Sequence, residues 1–177
     1  MRLFVACCLL ALSGAEASAL EFAEPEEQPI IATLVAEHVA IQRGSGSTRI
    51  GVLFEIEDGW HIYAQDPGDA GLPTSVTWSG PSGVSFGPLQ WPPPHEFLDP
   101  GDIRTFGYAK EVLLASTLSL QGAAEIYYIS GTLPLKAKVS WLACREVCIP
   151  GKADLKLALP LSPDPPTPSP HAHLFSP

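Results

Sequence analysis

From Ile30 onward, apolar and polar positions alternate with a period of two, the signature of half-buried β-strands. Ile50, Val52, Phe54 and Ile56 alternate with Gly51, Leu53, Glu55 and Glu57. After the turn signal Asp58–Gly59, "WHIYA" puts Trp60, Ile62 and Ala64 on one face and His61 and Tyr63 on the other. "TSVTWSG", "EVLLASTLSL" and "AEIYYISGTL" read as further strands. Leu133, Leu135, Ala137, Val139 and Trp141 alternate with Pro134, Lys136, Lys138 and Ser140. Ala153, Leu155, Leu157 and Leu159 alternate with Asp154, Lys156, Ala158 and Pro160. These last two runs predict a hairpin-like pair whose connection holds Cys144 and Cys148. "PGDAGLP" reads as a loop in which Asp66 and Asp69 form turns. Residues 87–110 read as a long loop, because the prolines of "WPPPHEF" cannot sit inside a paired strand. That loop still carries Trp91, Phe97, Phe106 and Tyr108, which argues against disorder. With no helical period and no repeat, the pattern predicts an all-β chain folded as an antiparallel β-sandwich.

The 177 residues suit one domain with tails. Residues 1–19 read as a signal peptide: Arg2, the apolar run "LFVACCLLAL", then "ASA" for cleavage. A lipid attachment at Cys7 or Cys8 is the open alternative. Residues 20–29 form an acidic linker, 30–161 the sandwich domain, and 162–177 a proline-rich mobile tail. A net charge of -9 gives no footprint for nucleic acid. The mature protein is expected to be soluble and exported, in a compartment where a disulfide persists.

The stretch "SWLACREVCIPGKADL" holds the two cysteines that outlast the signal. Three readings compete. As a brace, a bridge between positions four apart closes a tiny loop and stabilises by only about 2 kcal/mol on the chain-entropy model. As a zinc site, the pair supplies two of four ligands; Cu(I) needs fewer, and His61 or His95 could contribute. His171 and His173 lie in the tail. As a redox couple, a small disulfide on a turn is open to another protein's thiolate. Arg145 and Lys152 favour the thiolate and Glu146 opposes it. The local chemistry fits the redox reading best.

"VSWLACREVCIPGKADLKLALPL" resembles the end of the amino-terminal periplasmic domain of the thiol:disulfide interchange protein DsbD family, and "DGWHIYAQDPGDAGLPT" and "FGYAKEVLL" resemble other segments of it. The resemblance spans roughly residues 30–161. It implies an immunoglobulin-like sandwich with an active-site disulfide in a strand connection. It further implies that Cys148 forms the mixed disulfide with partners and that Cys144 resolves it. The family shields its cysteines with an aromatic-bearing loop, which "TFGYAK" matches. Phe106 is thus the expected cap with Tyr108 beside it, and Tyr63 is an expected active-site neighbour. The cysteine spacing is tighter than in the best-known members.

The implied activity is that of a protein-disulfide reductase acting as a periplasmic electron relay, with no cofactor and no metal. Electrons would come from a thioredoxin-like donor served by a membrane electron transporter. They would pass to periplasmic disulfide proteins, including those of cytochrome maturation. For the membrane-embedded and thioredoxin-like parts of full-length relatives two expectations stand open, separate proteins that supply them or a free-standing variant with another donor; the domain is expected to be a monomer. The alternatives are a copper-binding exported protein using the same cysteines, and an Ig-like binding module with a structural disulfide.

Overall fold

A computed structural model describes residues 28–43, 46–99, 101–120 and 131–176. The expected signal peptide, most of the linker and most of the strand "AEIYYISGTL" lie outside them. Among the described residues, eleven strands follow in chain order: β1 (Ile30–Ala36), β2 (Ile41–Gln42), β3 (Ser47–Ile56), β4 (His61–Gly68), β5 (Ser75–Ser79), β6 (Val84–Phe86), β7 (His95–Asp99), β8 (Ile103–Tyr108), β9 (Glu111–Leu120), β10 (Thr132–Cys144) and β11 (Cys148–Ser162). They make two sheets. One has the order β1-β3-β9-β6; the other runs β2-β11-β10-β4-β8-β7, with β5 also pairing β10. All pairings are antiparallel except the short β2–β11 contact. Among the described residues, no helix is long and apolar enough to cross a membrane.

The two sheets bury the faces that the alternation marked. Val52 and Phe54 of β3, Ile62 and Ala64 of β4, Leu114 of β9 and Val139 of β10 meet Trp60 in one cluster. Ile50, Leu118, Leu133, Leu135 and Leu159 form a second cluster. Burying one such side chain contributes about 1.5–3 kcal/mol, so these clusters dominate the stability.

Two expectations are corrected. The segment expected as a long loop contains the hairpin β7–β8, which begins just after the three prolines. Its turn is made by Gly101 and Asp102, both at positive φ. "TFGYAK" is therefore largely a strand and not a free loop.

The tail expected to be mobile is docked. Val35, Leu53, Leu113 and Ala115 lie on the outer face of the four-stranded sheet, and Phe175 covers them from a 3₁₀ turn, Ala172–Phe175. The Ser169 hydroxyl donates to the Ala36 carbonyl at 2.6 Å, and the Val39 N–H donates to the Thr167 carbonyl at 2.9 Å. Arg49 donates to both Glu37 carboxylate oxygens and to the Phe175 carbonyl. The hydrogen bond from Arg49 holds the Glu37 carboxyl below its ordinary pKa. Proline lowers the entropy cost of fixing an extended segment, and an uncovered apolar sheet face supplies the driving force.

Candidate functional site

The β10–β11 register sets Cys144 opposite Cys148, where they form a disulfide with Cα atoms 4.1 Å apart. The two sulfur-bearing residues differ in access. Cys144 is 3% exposed, whereas Cys148 is exposed. Val147, between them, is 64% exposed. The turn is closed by a bond from the Arg145 N–H to the Val147 carbonyl at 3.1 Å.

The other flank of β10 pairs with β4, and Cys144 stands opposite His61. Strand alternation then puts Cys144, His61 and Tyr63 on the outer face of the sheet, while Ile62 and Ala64 enter the core. The Tyr63 hydroxyl donates to Cys144 Sγ at 3.1 Å. Such a donor favours a thiolate at that sulfur. The Tyr63 ring is buried and meets His61 edge-on, with centroids 5.2 Å apart. A loop lies directly on it: a Cβ at Gly71 would come within 2.5 Å of the ring, and Gly71 has φ +103. The Thr74 hydroxyl ties that loop down by donating to the Tyr63 carbonyl at 2.7 Å.

Phe106 and Tyr108 do not join this cluster. Tyr63 pairs with Gly107, so the residues on either side of Gly107 point to the opposite face. Phe106 packs against the inter-sheet core, and Tyr108 is part of it. The Tyr108 hydroxyl donates to the Pro92 carbonyl, and burial pushes its pKa up to about 12. Gly107 itself is required: a Cβ there would stand 2.1 Å from the Ile62 carbonyl oxygen.

A second aromatic ring on the side of His61 is Phe97 of β7. It stacks on His61, with centroids 4.4 Å apart and planes inclined by 13°. The available signal was the "HEFLD" alternation, which puts Phe97 on the same face as His95. Reading it required recognising β7 as a strand.

Arg145 follows Cys144 directly in the cysteine turn. Its guanidinium lies over the Trp60 ring, 4.8 Å from the centroid, so its contact is a cation–π interaction that braces the cysteine turn. Among the described residues, no group of three or more His, Cys, Asp or Glu side chains is gathered to hold a metal ion. An exposed sulfur bonded to a buried one, with a hydroxyl donor on the buried partner, is suited to thiol–disulfide exchange.

The family model described as thiol:disulfide interchange protein DsbD, N-terminal, matches residues 31–160. Among solved structures, the N-terminal periplasmic domain of ScsB from Proteus mirabilis is similar at a TM-score of 0.55 and 24% identity. That match covers 78% of this chain and 49% of the ScsB chain, so the present chain spans about half the length of that relative. The Neisseria meningitidis DsbD N-terminal domain in its reduced form aligns at a TM-score of 0.37 and 16% identity, covering 77% of this chain and 89% of that one. No curated protein matches in sequence. The ScsB likeness supports the sandwich fold.

Proposed function

Because the chain belongs to the family of DsbD N-terminal thiol:disulfide interchange domains, we propose that Cys144 and Cys148 relay electron pairs between exported proteins. The observation that carries this reading is the asymmetry of the couple: Cys148 is exposed, while Cys144 is buried and accepts a hydrogen bond from Tyr63. In the loading half, a donor thiolate attacks Cys148 Sγ. The new bond joins donor to Cys148, and Cys144 leaves as a thiolate beneath the Tyr63 hydroxyl. A second donor thiolate attacks the donor's own sulfur in that mixed disulfide and releases Cys148. The donor leaves oxidised; the couple has taken up two electrons and two protons. In the delivery half, the Cys148 thiolate attacks an acceptor disulfide. Cys144 then attacks Cys148, re-forms the bridge and releases the acceptor reduced.

Phe97, stacked on His61, is the aromatic shield in this reading, in place of Phe106 and Tyr108. The working compartment is the periplasm, reached through the leader sequence. The donor is a thioredoxin-like protein fed by a membrane transporter, and the acceptors are periplasmic disulfide proteins.

The reduction potential tests the relay. Equilibration with glutathione buffers should place the couple between about -270 and -120 mV, the range of exchange proteins; a value far below about -300 mV would mark a structural brace and end the proposal.

Tyr63→Phe supplies a second prediction. A hydrogen bond to a charged group contributes about 1.5–3 kcal/mol, and about 1.36 kcal/mol is one pKa unit. The Cys144 thiol should therefore titrate about one to two units higher in Tyr63→Phe, measured by thiolate absorbance in a background lacking Cys148. An unchanged titration would remove Tyr63 from the mechanism.

A further inference from the structure

The β10–β11 hairpin carries five of the chain's ten Lys and Arg residues: Lys136, Lys138, Arg145, Lys152 and Lys156. Its acids are Glu146 and Asp154, so the hairpin is net positive within a chain of net charge -9. The register puts the four lysines on one face. Lys136 stands opposite Lys156, Lys138 opposite Asp154, Ser140 opposite Lys152, and Cys144 opposite Cys148. All four lysines are exposed, and among the described residues none of them forms an ion pair. On the far flank, β5 extends the same rows with Ser75, Thr77 and Ser79. Lys152 is four residues from Cys148, or about 13 Å at the rise of a strand.

Protection of a sheet edge does not account for this arrangement. Charges on an edge strand do block unwanted pairing, which would explain Lys152 and Lys156 on β11. Lys136 and Lys138, however, are on β10, whose flanks are paired by β11 and β5. Like charges directly opposed, as at Lys136 and Lys156, also work against the fold. The row leads along the sheet to the exposed Cys148, where an exchange partner has to arrive.

We infer that this lysine face is the docking surface for an exchange partner whose surface carries an acidic patch beginning about 13 Å from its reacting cysteine. The inference rests on the relay reading and adds the chemical class of the partner. It opposes what net charge alone would give, since a chain at -9 repels acidic partners. A local positive field overcomes that repulsion only within about a Debye length, about 8–10 Å. Such focusing raises encounter rates by about tenfold or more and is lost at high salt.

The test uses two synthetic disulfide peptides with the same core and the same uncharged four-residue spacer, about 13 Å when extended, one ending in four glutamates and the other in four lysines. The reduced protein reacts with each at low and at high ionic strength. The acidic peptide should react about tenfold faster than the basic one at low salt, with the ratio approaching one at high salt. The variant carrying Lys136→Gln, Lys138→Gln, Lys152→Gln and Lys156→Gln should lose the preference. The four lysines are exposed, so the circular dichroism and urea midpoint of the variant should match the wild type and separate a lost preference from a lost fold. Equal rates for the two peptides, or faster reaction of the basic one, would overturn the docking surface. So would a preference that survives in the variant. Tighter association of the lysine face with anionic phospholipid vesicles, alongside equal peptide rates, would make it a lipid surface instead. The exchange reading is tested separately, with uncharged dithiothreitol on the oxidised wild-type protein. If dithiothreitol and both peptides leave the couple untouched, the relay itself fails; if only the peptide preference is missing, the docking surface alone fails.

Discussion

Cys144→Ser should accumulate a covalent complex through Cys148, while Cys148→Ser should form no partner adduct at all. Turnover should fall to background in both. The difference follows from access: a partner's sulfur can reach the exposed Cys148, but Cys144 is 3% exposed beside Tyr63 and His61. Without Cys144, the mixed disulfide on Cys148 has no internal thiolate to resolve it, so it persists on a non-reducing gel and is assigned by peptide mass. Loss of fold is a poor explanation for such a result. The bridge closes a short loop and contributes only about 2 kcal/mol on the chain-entropy model, against about 5–15 kcal/mol for a domain. Adducts on Cys144 in Cys148→Ser, or none in either variant, would reverse the assigned roles or remove them.

Phe175→Ala should destabilise the protein by about 3 kcal/mol, the low end for emptying a buried Phe site, although the position lies in a segment that composition marks as a tail. The ring is 4% exposed and covers Val35, Leu53, Leu113 and Ala115. Removing it returns that apolar patch to water and takes away the group over which the Arg49 guanidinium lies at 5.6 Å. The urea midpoint should fall, and proteases should cut near Ser169 at far lower concentration. A change under about 1 kcal/mol would mean that the tail rests on the sheet without holding it.

The alternation legible in the chain separated Trp60, Ile62 and Ala64 from His61 and Tyr63, and it paired the strands around the cysteines. Both readings agree with the observed faces and register. It did not separate Phe97 from Phe106. Both are aromatic and both flank the same turn. Which ring shares the face of His61 depends on Tyr63 pairing with Gly107 rather than with a neighbour. A shift of one residue would exchange the faces. The docking of the tail is hidden from the sequence for a related reason. Its prolines are visible locally, but the patch beneath Phe175 is assembled from residues on three strands far apart in the chain.

By itself, the sequence determined the strand character, the hairpin and the position of the sulfur pair, because each depends on neighbours two to five residues apart. Tertiary structure alone decided which sulfur is sheltered, which ring stacks at the site and where the tail docks. Those outcomes depend on pairings between distant strands, whose register is set by burial across the whole sandwich.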